Sequence, residues 1–284
     1  MAKNLMEILK SATEHLEQQK VESPRLICEL LASRLLNCKR LELYTMHETV
    51  LDEKRLSAMR RGIQRAGAGE PVQYIIGQTE FMGHTFKTDK RALIPRPETE
   101  ILVTEALNCS DIWSRERSLI ADIGTGTGCI PISIAIERPD AVYLAIDISN
   151  DAIELAKENA SAAGVGDKIG FTTEEISDTV DPESVDMITA NLPYIPTSEY
   201  EELPGNVLNH EPRTALDGGP DGLRIIDTTI QDAAIALKEG GVILLEIAMD
   251  QGQRVSKMLT DSGFTNIKVI KDLNDRDRVV SATL

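Results

Sequence analysis

The sequence predicts an α/β protein: a seven-stranded, mostly parallel sheet covered by helices, preceded by a small helical domain. Three observations predict it. From residue 118 onward, apolar runs of strand length alternate with stretches of helical periodicity, the pattern of a parallel sheet covered on both faces. The first seventy residues show helical spacing alone. Between them, two short strand-like runs read as a β-hairpin linker.

The elements follow in order. Leu5, Ile8, Leu9, Ala12 and Leu16 recur at helical spacing. A second helix starts at Ser23-Pro24, with serine as N-cap and proline in the first turn. Asp52 caps a third, which stops at Ala66-Gly67-Ala68-Gly69 and carries Lys54, Arg55, Arg60, Arg61 and Arg65 on exposed positions. That basic run is either a solvated face or a docking surface. Strands are expected at Val72–Gly77 and Thr85–Thr88, joined through Phe81-Met82-Gly83. Ile94-Pro95-Arg96-Pro97-Glu98-Thr99-Glu100 leads into a helix running to Leu107. Sheet strands are expected at 118–123, 142–147, 168–173, 185–190, 241–247, 266–271 and 278–283. Helices are expected at 128–137, 149–163, 222–238 and 250–262. The domains are therefore 1–70 (helical, substrate docking), 71–92 (hairpin linker) and 93–284 (catalytic).

Charge narrows the function. Residues 1–70 carry 12 Lys/Arg against 10 Asp/Glu, whereas residues 71–284 carry 18 against 36. An acidic catalytic half repels phosphate backbones and weighs against a nucleic-acid substrate. Cys28, Cys38, Cys109 and Cys129 show no metal-ligand spacing, and with four histidines in the chain no metal is expected. The N-terminus has acidic residues and no apolar run, and no segment has the roughly 20 apolar residues that span a bilayer. A cytoplasmic protein without membrane contact is expected.

Ser118 to Gly128 is an apolar strand running into Asp122, then Gly124-Thr125-Gly126-Thr127-Gly128, then a helix. Such glycines let the backbone turn sharply and let a ligand lie on the main chain. The spacing is G-x-G-x-G, not the G-x-G-x-x-G of dinucleotide binders, so a nicotinamide cofactor is the weaker reading. The next strand ends in Asp147, placed to accept both hydroxyls of a ribose. A nucleoside cofactor without pyrophosphate fits, as S-adenosylmethionine is, and an acidic setting suits its sulfonium. The pair of motifs resembles the class I (Rossmann-like) methyltransferase fold.

Asn191-Leu192-Pro193-Tyr194 follows the fourth strand, at the edge where α/β sheets bind ligands. The target such a loop suits is a planar NH2 group, whose lone pair is delocalised. Asn191 offers a side-chain acceptor and is expected at both the cofactor and the substrate. The Leu192 carbonyl offers a second acceptor, Pro193 fixes φ, and Tyr194 gives a flat face for stacking.

The whole chain resembles the release-factor glutamine methyltransferases, the HemK/PrmC family. The matching segments are Glu70 to Gly77, Glu80 to Gly83, Leu93 to Glu100, Asp122 to Gly128, Asp147 to Ser149, Glu211 to Arg213, Ala215 to Gly219, Asp221 to Leu223 and Asp275 to Val280. The resemblance implies methylation at N5 of the glutamine in the Gly-Gly-Gln tip of release factors, with S-adenosylhomocysteine as product. It also implies that Glu174 to Ile176 lie near the adenine, and Arg96 and Phe81 near the site. The family pattern at the loop is Asn-Pro-Pro-Tyr, so Leu192 removes one φ restraint, and Ala248-Met249 replaces a glycine expected after Glu246-Ile247. Asn-Leu-Pro-Tyr resembles as well the loop of ribosomal RNA adenine dimethyltransferases. An RNA adenine N6-methyltransferase and a catalytically silent S-adenosylmethionine-binding module are the alternatives.

Overall fold

The structure, a computed structural model, describes residues 4–284; residues 1–3 of the expected helical domain lie outside the described residues. The chain forms two compact units: residues up to Gln78 with Pro204–His210, and Thr79–Leu203 with Glu211–Leu284.

The first unit is helical, as expected. Helix Leu5–Gln18 opens with a capping box, in which Asn4 Oδ1 accepts from Glu7 N at 2.9 Å and Glu7 Oε2 accepts from Asn4 N at 3.0 Å. Its Leu5, Ile8, Ala12 and Leu16 pack with Cys28, Leu31 and Met59 from helices Pro24–Leu36 and Glu53–Gly67. Asp52 caps the third helix, accepting from Arg55 N at 2.7 Å. Ser23 does not cap the second: its φ is +51° and its side chain makes no capping bond. Residues 72–76, expected as a strand, are a helix, Val72–Ile76. Pro71 opens it and Gly77, at φ +74°, closes it in the left-handed conformation. In the basic run, Arg65 is bound through Nε and Nη2 to Glu70, and Arg61 Nη1 donates to Ser57 Oγ at 2.8 Å.

The second unit begins with a hairpin, β1 (Gln78–Phe81) and β2 (His84–Lys87), turning at Met82-Gly83, both at positive φ. The sheet follows: β3 (Leu119–Ile123), β4 (Val142–Ile146), β5 (Ile169–Thr172), β6 (Val185–Asn191), β7 (Leu237–Glu246), β8 (Thr265–Lys271) and β9 (Asp277–Thr283). Its order is β5-β4-β3-β6-β7-β9-β8, parallel from β5 through β7, with β9 antiparallel to both neighbours. The chain departs from β3 toward β4 and β5 on one side and reaches β6 and β7 on the other. Their carboxyl ends part there, and the crevice of such sheets opens at that point. Each face is buried under helices: Ile120, Tyr143 and Met187 with Leu102 and Ile132 on one, Ile188, Ile243 and Leu245 with Ile230 and Leu259 on the other.

Asp122, Asp186 and Glu246 are buried in this sheet, and burial raises the first and the last. Asp122 is fully buried on β3, and burial pushes its carboxyl up to about 7 against the pull of the Thr125 and Thr189 hydroxyls. Glu246, at the end of β7, is pushed up to about 7 for the same reason. The folded state thus keeps protons that the unfolded chain releases near the ordinary values of 3.8 and 4.5. The stabilisation is complete below those values and is lost as pH rises through about 7. At the acid end the sign reverses, because Glu158, hydrogen-bonded by Arg91, and Asp217, hydrogen-bonded by Thr197, are held down at about 2. Stability should peak near pH 4 and fall as pH rises to about 7, on the order of 1–3 kcal/mol for each of Asp122 and Glu246. Denaturant titrations across that range should show the fall, and Glu246→Gln should remove its share.

Candidate active site

The glycine turn hangs from the end of β4, where Gly124 N and Thr125 N both donate to Ile146 O at 2.9 Å. The Asp147 carboxylate cross-ties it: Oδ2 accepts from Gly126 N and Oδ1 from Ser149 N, each at 2.9 Å. Burial raises the Asp147 carboxyl, and these two backbone donors oppose the rise. Gly126 has φ +54°, and the space a Cβ would take is bounded only by Ala92 Cβ at 3.8 Å and Gly124 O at 4.0 Å. That is a cradle of bare main chain beside a carboxylate.

A cavity of about 190 Å³ opens above this turn. Gly124, Thr125, Gly126, Thr127, Asp147, Asn191, Leu192 and Pro193 line it, so the structure brings together most of the residues the sequence singled out. Gly128 is not part of the lining. A Cβ there would lie 2.9 Å from Ile132 Cδ1 and 3.1 Å from Ala156 Cβ, so this glycine serves helix packing. Tyr194 is not part of it either. Its half-buried ring packs beside the core, and its hydroxyl makes a long 3.5 Å contact to Glu246 Oε1. Burial and the Glu246 carboxylate raise the Tyr194 hydroxyl above its ordinary range, so it stays protonated.

The Asn191 side chain is fixed by a residue of the Ile-Pro-Arg-Pro-Glu-Thr-Glu segment. Its Nδ2 donates to Thr99 Oγ1 at 3.0 Å, and Thr99 is 2% exposed at the start of helix Thr99–Asn108. The Ile-Pro-Arg-Pro-Glu-Thr-Glu segment therefore forms a wall of the site, with Ile94, Pro95, Arg96 and Thr99 all in the lining. Arg96 Nη2 reaches Glu211 Oε1 at 2.5 Å, joining that wall to the Glu211-Pro212 turn. The Leu192 side chain is 4% exposed in the core, and its Cδ2 is 3.2 Å from where a Gly124 Cβ would stand, so packing replaces the missing ring restraint.

The loop is closed from outside by main-chain approach. Ile195 N donates to Leu216 O at 3.1 Å, and Gly218 N donates to Ile195 O at 2.8 Å. A Cβ at Gly222 would sit 2.2 Å from Tyr194 O, so only glycine fits. Gln251 Nε2 donates to that same Tyr194 O at 3.0 Å, and Gln251 Oε1 accepts from Ala248 N at 3.0 Å. The Ala248-Met249 departure thus leaves the support of the loop in place.

Other expected neighbours lie elsewhere. Phe81 is 1% exposed and packs edge-on against Phe86, ring centres 6.0 Å apart. Glu174 and Glu175 are exposed, and Ile176 is buried in the core; none lines the cavity. Ile148 does line it while staying 79% exposed, an apolar surface directly after the Asp147 carboxylate. The bare cradle, the carboxylate and this apolar face fit the amino-acid, ribose and adenine parts of S-adenosylmethionine. Among the described residues no helix is long and apolar enough to cross a membrane.

Comparison with known proteins agrees with this geometry. A family profile described as PrmC N-terminal domain matches residues 7–77, and one described as methyltransferase domain matches residues 116–266. The chain is 37% identical to a protein of Rhodopirellula baltica named release factor glutamine methyltransferase, covering 98% of this chain and 95% of that one. Relatives of the same name from Chlorobaculum tepidum (36% identical; 98% and 96% covered) and Moorella thermoacetica (38%; 96% and 96%) match as fully. Among solved structures, the hMettl16 catalytic domain in complex with MAT2A 3'UTR hairpin 6 aligns with a TM-score of 0.56 at 14% identity, covering 71% of this chain and 76% of that one, which shows the class I methyltransferase fold. The chain belongs to the release factor glutamine methyltransferase family.

Proposed function

We propose that this protein transfers a methyl group from S-adenosylmethionine to the side-chain amide nitrogen (N5) of the glutamine in the Gly-Gly-Gln motif of peptide chain release factors, in the cytoplasm. One observation carries the reading. Asn191 stands beside the glycine turn with its Nδ2 bound to Thr99, which leaves Oδ1 as its free acceptor.

S-adenosylmethionine supplies an electrophilic methyl on a sulfonium and departs as S-adenosylhomocysteine. Asp147 and the Gly124–Gly126 main chain hold the ribose and amino-acid parts, and Ile148 covers the adenine. The Asn191 Oδ1 and Leu192 carbonyl accept the two N–H groups of the substrate amide. That grip turns the nitrogen toward the methyl and favours positive charge growing on it. Holding the two reactants in line contributes on the order of 7–11 kcal/mol. The amide nitrogen forms the N–C bond, and one of its protons leaves to solvent. Pro193 keeps the carbonyls in place, and the Tyr194 carbonyl, held by Gln251 Nε2, anchors the loop from outside the cavity.

The helical unit, residues 1–70, is the docking element in this reading. Its near-neutral charge contrasts with the acidic catalytic half, and Met6, Leu26, Leu41, Tyr44 and Val50 are exposed on it. The acidity weighs against the RNA adenine reading.

The test is incubation with labelled S-adenosylmethionine and a purified release factor, with the methyl mapped by mass spectrometry; label on RNA instead would reject the reading. Asn191→Ala should lower kcat by about 100-fold or more while cofactor affinity stays within a few-fold. Asp147→Ala should do the opposite, weakening cofactor binding measured by calorimetry. Reversing charge at Arg60 and Arg61, which like Lys54 form no ion pair with a carboxylate among the described residues, should raise KM for the intact factor and leave kcat in place.

A further inference from the structure

A carboxamide is nearly symmetric in shape. Its oxygen and its NH2 fill almost the same volume, so packing does not choose between the two flips and hydrogen bonding must. The reading above needs the Asn191 oxygen, an acceptor, toward the substrate. The Thr99 hydroxyl takes the Asn191 Nδ2 at 3.0 Å, yet a hydroxyl serves equally as donor or acceptor. It is committed to accepting only when its own proton is spoken for.

Glu246 is the group placed to receive that proton. It lies directly across from Asn191 in the β6–β7 register, so both side chains leave the sheet on one face. It is 2% exposed, its Oε2 is buried without a hydrogen-bond partner, and the Thr99 hydroxyl favours its charge. Tyr194 Oη approaches its Oε1 at 3.5 Å. An ionised carboxylate accepts hydrogen bonds and never donates them.

We propose, building on the methyltransfer reading, that Glu246 and Thr99 are positioning residues: the carboxylate takes the Thr99 proton, and the hydroxyl thereby locks the Asn191 carboxamide with its oxygen toward the transferred amide. A protonated Glu246 reverses the chain. Its O–H donates to Thr99, the hydroxyl turns to Asn191 Oδ1, and the flipped carboxamide presents NH2 to a substrate that needs an acceptor. The device therefore responds to pH. Burial places the Glu246 carboxyl at about 7. Arg278 on β9 and the Thr99 and Tyr194 hydroxyls favour its charge, while Glu98, ahead of the helix, disfavours it. Cys129, on the helix Cys129–Glu137, is pushed up to about 12 by burial and stays neutral.

The experiment compares the full-length wild type with Thr99→Val, Thr99→Ser and Glu246→Gln, using a purified release factor from pH 6 to 9. Thr99→Val should lower kcat by about 10–100-fold with KM for S-adenosylmethionine within about twofold, and Thr99→Ser should restore it to within about threefold. Wild-type kcat should rise with pH through about 7, and Glu246→Gln should abolish that limb. Independently of activity, the Asn191 side-chain NH2 resonances, assigned by their loss in Asn191→Ala, should titrate with the same midpoint and stop doing so in both Glu246→Gln and Thr99→Val. Unchanged kcat in Thr99→Val, equal losses in Thr99→Val and Thr99→Ser, or resonances indifferent to pH would overturn the relay. A wild type that methylates no glutamine would reject the functional reading instead, and the resonances would still decide the relay.

Discussion

The Thr189 hydroxyl donates to Asp122 Oδ1 at 2.7 Å inside the sheet, and the spacing of the site depends on that bond. Asp122 stands just before the glycine turn, and Thr189 lies two residues before Asn191. The bond joins the strand that carries the cofactor turn to the strand that carries the acceptor, at the paired positions Asp122 and Thr189. Methyl transfer tolerates little error in approach, since a misplacement of about 1 Å costs on the order of 100-fold. A buried hydrogen bond between neighbouring strands is a stiff way to set that distance. One register further along, Asn191 pairs with Glu246, so three adjacent strands deliver turn, acceptor and support to one edge.

Keeping three carboxyls at this edge has a cost, and the site uses what it retains. An ionised carboxylate deprived of water is unstable unless donors surround it. Asp122 has Thr189, Asp147 has two backbone N–H groups, and Glu246 has hydroxyls and the Arg278 charge. Among the compensating groups, Thr189 sits on the acceptor strand, Gly126 N in the glycine turn and Thr99 at the start of helix Thr99–Asn108, all segments that must be held still.

Most of the sheet was legible because buried parallel strands read as short apolar runs and their boundaries carry glycine, proline or acid. Observed strand ends fall close to the expected ones, apart from an earlier start to β7. Val72 to Ile76 was misread since a five-residue apolar run has the same look in a strand and a helix; Pro71 and Gly77 were the deciding signals. At the site, the glycine turn, Asp147 and Asn191 were legible as local motifs. Thr99 and Glu246 were not: Thr99 meets Asn191 across 92 positions and Glu246 meets Tyr194 across 52. Leu192 looked like a lost restraint because sequence shows the missing ring and hides the core contact.

Leu192 also bears on how the enzyme fails when heated. Many catalytic loops are detachable flaps that melt below the temperature at which the body does. Here the loop is rooted by a side chain 4% exposed, inside the cluster formed by β6, β7 and helix Arg224–Ala236. Lifting the loop pulls a leucine out of that cluster, so the loop shares the cooperative unit of the sheet. Its amide protons should exchange with solvent on the timescale of domain opening.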